Sequence, residues 1–168
     1  MEDAIGAGAQ IIQHKPGYNG VIISRARADA AALGWREVPF GMEGPEAVPL
    51  TSAQTANFPL AAKRIVIAVG IGMSLSGVLH GLARQGLSRD VLAVAVGAPK
   101  PEKYINRWAP ADWRRRTQLI RSEQDYSRHV DAEVAGISLD PVYEAKAAKF
   151  LQPGDCFWIV GRRGIVNV

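Results

Sequence analysis

Arg64-Ile65-Val66-Ile67-Ala68-Val69 runs without a break into Gly70-Ile71-Gly72-Met73-Ser74-Leu75-Ser76-Gly77, and this junction decides the fold. Ile65 to Val69 is apolar at every position and rich in β-branched residues, the pattern of a strand buried on both faces in a parallel sheet. Beyond the glycines, Leu75, Val78, Leu79 and Leu82 fall at helical spacing, which predicts a helix packed back on that strand, with His80 and Arg84 turned elsewhere. Gly86 stops it. Val91-Leu92-Ala93-Val94-Ala95-Val96 then repeats the buried-strand signature, so strand, helix and strand form a crossover unit whose default hand is right.

The turn between strand and helix is the first candidate site. The opening N–H groups of a helix lack intrahelical partners, and the helix dipole adds partial positive charge there. Gly70 and Gly72 permit close approach by the backbone, and Ser74 or Ser76 can donate a hydroxyl. A stretch of this kind attracts phosphate, although a plain tight turn with a serine cap has the same composition. It is not a Walker loop, because no Gly-Lys-Ser/Thr follows. Nor is it a dinucleotide fingerprint, since Leu75 occupies the third glycine position.

Upstream, Ala9 to Gln13 reads as a short strand, Pro16-Gly17-Tyr18-Asn19-Gly20 as a turn, and Val21 to Leu33 as a helix stopped by Gly34. Trp35 to Phe40 reads as a further short strand. These elements suggest a partial small lobe over residues 1–45, a proline-rich crossover linker over 46–62 and a main α/β domain over 63–168. Downstream, Asp112 to Val134 and Pro141 to Phe150 read as helices and Cys156 to Val160 as a last buried strand.

The chain of 168 residues is 48% hydrophobic and 21% charged, enough apolar material for a real core. Cys156 has no partner for a disulfide, Glu2 and Asp3 stand where a signal peptide carries positive charge, and no apolar run approaches the ~20 residues that span a bilayer. The expectation is a cytoplasmic protein without a membrane segment. The net charge of +4 favours anionic partners. Its one concentration, Arg114, Arg115, Arg116 and Arg121 beside Trp108, Trp113 and Tyr126, reads as a solvated helix face rather than a nucleic-acid surface, because no complete binding motif surrounds it. His14, His80 and His129 are too dispersed for metal-ligand spacing, and no nucleophile elbow surrounds Ser24, Ser74 or Ser76.

The second candidate is Asp140-Pro141-Val142-Tyr143-Glu144-Ala145-Lys146, in which Asp-Pro opens a helix with Tyr143 and Glu144 in its first turn. Taken alone, Tyr143 is a packed amphipathic aromatic and Glu144 a dipole partner. With the glycine loop, however, the stretch resembles the fold-type II pyridoxal-phosphate enzymes. The likeness is to their aminocyclopropane-carboxylate deaminase and D-cysteine desulfhydrase branch, whose members carry a similar Asp-Pro-Val-Tyr-x-x-Lys. Gly8-Ala9 is similar to the family's small-lobe strand, and Val38-Pro39-Phe40-Gly41 to its crossover. The resemblance implies an α/β, tryptophan-synthase-β-like fold with a mostly parallel sheet and flanking helices.

It also implies roles. The backbone of Gly70, Ile71, Gly72, Met73 and Ser74 would hold the phosphate of pyridoxal phosphate, Tyr143 would lie near substrate or ring, and Glu144 would approach the pyridine nitrogen. Where the family has a Gly-Gly pair at the cofactor's edge, this chain reads Gly161-Arg162-Arg163-Gly164. The family's Schiff-base lysine and asparagine-bearing loop belong to an earlier segment that has no counterpart here. None of Lys15, Lys63, Lys100, Lys103, Lys146 and Lys149 stands in that context; Lys15, before the Pro-Gly turn, is the loop lysine of the small lobe and the candidate to replace it.

The function so implied is a deaminase- or lyase-type reaction on a small amino acid, with the lysine replaced locally or supplied by a partner chain. The alternative is a non-catalytic domain that binds a phosphorylated small molecule or a partner. An open sheet edge further suggests a homo-oligomer, most simply a homodimer.

Overall fold

The computed structural model describes residues 2–97 and 100–161. They fall into two compact units, one built on residues up to Phe40 and the other beginning at Gly41. The first unit holds helices α1 (Glu2–Gly6) and α2 (Asn19–Leu33). Gly34, in the left-handed region at φ 66°, ends α2 and returns its amide to Ala30 and Ala31. The strands expected at Ala9 to Gln13 and Trp35 to Phe40 do not form; both stretches are irregular apart from a 3₁₀ turn that begins at Phe40. A lone extended segment has no ladder to satisfy its backbone, so short apolar runs become strands only beside a partner.

In the second unit, α3 (Ala47–Gln54) precedes β1 (Arg64–Val69), α4 (Met73–Arg84), β2 (Asp90–Ala95) and α5 (Glu102–Trp108). There follow β3 (Thr117–Arg121), the two-residue strands β4 (Glu133–Val134) and β5 (Ile137–Ser138), α6 (Glu144–Ala148) and β6 (Asp155–Trp158). The main sheet is parallel throughout in the order β3-β2-β1-β6, while β4 and β5 form a separate antiparallel pair.

Alternation along the strands assigns the two faces. Ile65, Ile67 and Val69 of β1, with Val91 and Ala93 of β2, face Leu75, Val78, Leu79 and Leu82 of α4. Val66, Ala68, Leu92 and Val94 face the other way, toward Ala147 of α6. Both faces are therefore covered, which is why β1 carries no polar residue after Arg64. Each buried valine, leucine or isoleucine among them contributes about 2 kcal/mol of transfer free energy.

Two segments differ from the sequence reading. The stretch 46–62, expected as a linker, contains α3, which packs on Gly77 and Gly81 of α4. A Cβ at Gly77 would meet Thr51 at 2.4 Å, and one at Gly81 would meet Thr55 at 2.2 Å. Small residues on one helix let the other approach, and nothing in the spacing of α3 itself announces it. The stretch from Asp112 to Val134 is not a helix. Trp113–Arg115 is a single 3₁₀ turn that leads into β3, paired in register with β2 from Val91↔Thr117 to Ala95↔Arg121. An edge strand with polar ends carries no clean alternation, so pairing rather than pattern identifies it.

Candidate functional site

The loop at the carboxyl end of β1 is shaped by its neighbours. Gly72 caps α4 at φ 101°, a conformation that side chains avoid, and a Cβ there would lie 2.4 Å from Cγ1 of Ile105. Gly41 approaches from the crossover so closely that a Cβ on it would meet Ile71 at 2.6 Å. The first helical bond of α4 runs from the Ser76 amide to the Gly72 carbonyl. Among the described residues none accepts a hydrogen bond from the amides of Gly70 through Leu75. These donors are thus the open end of a helix dipole at the mouth of a parallel sheet.

The two serines separate. Ser76 is fully buried and donates its hydroxyl to the Gly72 carbonyl at 2.8 Å, so it is not available to a ligand. Ser74 is half-buried, and its hydroxyl has no partner among the described residues.

Asp140 builds the second motif. Its Oδ1 accepts from the amides of Val142 at 2.9 Å and Tyr143 at 2.8 Å, an Asx turn that sets the entry to α6. Tyr143 then lies against the loop, with Cε1 3.4 Å and Oη 3.7 Å from the position of a Cβ at Gly70. Its ring meets Tyr126 edge-on with centroids 5.7 Å apart, and the hydroxyls approach to 3.5 Å. Burial above all, then the bond to Tyr126, pushes the Tyr143 phenol up, so it stays protonated at neutral pH.

Glu144 points elsewhere. It is 3% exposed and accepts from the amides of Val160 at 3.2 Å and Gly161 at 3.3 Å. Burial raises its carboxyl above the ordinary range, against the lowering effect of those amides.

The structure therefore brings Tyr143 to Gly70 and Glu144 to Gly161. Met73 is buried in the first turn of α4, and Lys15 lies in the first unit, where its carbonyl accepts from Arg25 at 3.0 Å. Arg162, Arg163 and Gly164 lie outside the described residues. Lys146 is buried to 1% exposure and donates to the carbonyls of Asp125 at 2.6 Å and Tyr126 at 3.1 Å. Burial lowers its pKa. Lys149 pairs with Glu123.

Tyr126 is the site residue that the sequence reading missed. In the sequence it is only an aromatic near the arginines, yet its ring packs so tightly on Gly97 that a Cβ there would stand 2.5 Å away. Gly97, just past the apolar run of β2, marks a point where something must approach closely, and it was the one available clue.

No protein-family model matches the sequence, and no curated protein does. Among solved structures the chain is similar to one described as "Crystal Structure Analysis of the ACC deaminase homologue", with 21% identity and a TM-score of 0.59. The match covers 89% of this chain and 57% of that one, so the chain spans little more than half the length of the matched structure. The shared feature is the fold: an α/β domain with a parallel four-stranded sheet and flanking helices. Among the described residues no helix is long and apolar enough to cross a membrane.

Proposed function

We propose that residues 41–161 form the cofactor-phosphate half of a pyridoxal-phosphate protein of the deaminase and lyase type, acting on a small amino acid. The observation that carries this reading is the run of amides from Gly70 to Leu75, without acceptors among the described residues, beside the Ser74 hydroxyl and under the ring of Tyr143. The donor set suits a phosphate: neutral N–H groups, one hydroxyl and a helix terminus, with glycines where bulk would block approach.

Pyridoxal phosphate, when bound, supplies an electron sink for a carbanion at the amino acid's α carbon. The chain's own part is to bind and orient. The loop amides would fix the phosphate and hence the register of the ring. Tyr143, protonated and braced by Tyr126, would wall the site and offer one hydroxyl proton near the reacting groups. Glu144, held by the amides of Val160 and Gly161, would place a carboxyl of raised pKa toward the ring nitrogen.

The amine that the reaction needs is not offered by Lys146, whose buried ammonium donates to two main-chain carbonyls. It would come from Lys15 or from a partner chain. This same fact favours a second reading, a domain that binds a phosphorylated small molecule without turnover. Incubation with pyridoxal phosphate and a panel of small amino acids, with keto acid and ammonia measured, separates the two. Turnover supports the enzyme, saturable binding without turnover supports the binder, and absence of binding contradicts both. Borohydride reduction followed by peptide mapping would then identify the carbonyl-reactive lysine.

A further inference from the structure

The opposite end of the sheet holds a second cleft. It lies at the amino ends of β1, β2 and β3, has a volume of about 420 Å³, and is lined by Arg64, Asp90, Arg114, Arg115, Arg116 and Gln118. We infer that it binds a small molecule carrying two or more phosphates.

Strand register places the lining. Arg64 pairs with Asp90, and Leu92 with Gln118, so these side chains share the sheet face that α6 covers farther along. Strands five and six residues long at about 3.3 Å per residue put this cleft roughly 20 Å from the Gly70 loop.

Two of its cations are fixed. Arg64 donates to both oxygens of Asp155 and to the Phe150 carbonyl, which leaves its Nη1 without an acceptor among the described residues. Arg114 donates to Asn106 at 2.9 Å and stacks 4.3 Å over the Trp113 ring.

The other two are held by nothing. Arg115 and Arg116 are exposed and have no ion-pair partner among the described residues. After Asp155 is set against Arg64, and Asp90 against a second guanidinium, positive charge remains in excess. Such guanidiniums take phosphate oxygens two at a time. The volume falls within the range of small-molecule sites and exceeds what one phosphate fills. Asp90 is the lone carboxylate of the wall and would face a hydroxyl or amino group of the ligand rather than its phosphates. A nucleic acid is the weaker occupant, because Asp90 would meet a continuous backbone of phosphates.

The test is calorimetric titration of the full chain with tripolyphosphate, with inorganic phosphate and a single-stranded oligonucleotide as comparison probes. The wild type should bind tripolyphosphate at least tenfold more tightly than phosphate. Arg115→Gln with Arg116→Gln should lose at least tenfold in that affinity, while Asp90→Asn should gain. All three substitutions lie at exposed positions, and thermal melts of each variant check folding. Unchanged tripolyphosphate affinity in the double variant, or an oligonucleotide preferred over tripolyphosphate, overturns the inference. Affinity for pyridoxal phosphate should be the same in the double variant and the wild type, so failure here and failure of the Gly70 site are read separately.

Discussion

The ring of Tyr143 rests on Gly70, 3.4 Å from where a Cβ at that glycine would stand, whereas Gly72 two residues on faces Ile105 at only 2.4 Å. The two glycines of the loop therefore answer to different constraints. Gly70 keeps room beneath an aromatic wall, while Gly72 holds a backbone conformation that α4 needs for its cap.

Substitution should separate them. Gly72→Ala combines a left-handed φ of 101° with a clash in the core and should cost about 2–4 kcal/mol. Gly70→Ala should stay within about 1 kcal/mol and act mainly on ligand affinity. Urea denaturation of both variants checks this, and equal losses would contradict it.

Glu144 makes a prediction about pH. A buried carboxyl whose folded pKa is raised favours its protonated form in the native state. Its stability contribution is full below the unfolded value and is lost as pH rises through the folded one. Glu144→Gln keeps an acceptor for Val160 and Gly161 without the charge. From about pH 4 upward the variant should gain on the wild type, then hold a constant lead once Glu144 is ionised. Parallel curves from pH 3 to 8 in urea denaturation would speak against burial as the dominant influence on Glu144.

The core was legible in sequence because β1 and β2 are apolar on both faces and α4 keeps its leucines at helical spacing. The loop at Gly70 followed from their junction, and Asp140-Pro141 announced the turn that carries Tyr143. What sequence could not show was pairing. β3 exists because β2 lies beside it, α3 docks because Gly77 and Gly81 lack side chains, and Tyr126 reaches the site only through contact with Gly97 and Tyr143. The neighbour of Glu144 is likewise a long-range fact: its carboxyl meets main-chain amides sixteen and seventeen residues on.

Arg64 and Asp155 tie β1 to β6 through bonds of 3.1 and 2.6 Å. The Arg64 guanidinium holds the Asp155 carboxyl below the usual carboxylate range. A depressed folded pKa gives stability that is present above the unfolded value and lost as pH falls through the folded one. Asp155→Asn should cost about 1–3 kcal/mol at pH 7, less than a fully buried pair because part of Arg64 stays in water. The deficit should shrink in acid, as pH falls below the ordinary aspartate range. A deficit independent of pH would show that the packing of β6 matters more than the ion pair.

The sheet order predicts self-association. β3 and β6 each have a neighbour on one side among the described strands, and Tyr18, Val38 and Leu60 are largely exposed. Light scattering across a concentration series should report a dimer or larger species; a strict monomer at high concentration would contradict this.

The most direct test of the central claim is an equilibrium titration with pyridoxal phosphate against pyridoxal, which lacks the phosphate. If the amides from Gly70 to Leu75 hold that group, the phosphorylated form should bind at least tenfold more tightly, about 1.4 kcal/mol. Gly70→Ala, which leaves the fold in place, should narrow the difference. Equal affinity for the two compounds, or no binding of either, would contradict the account.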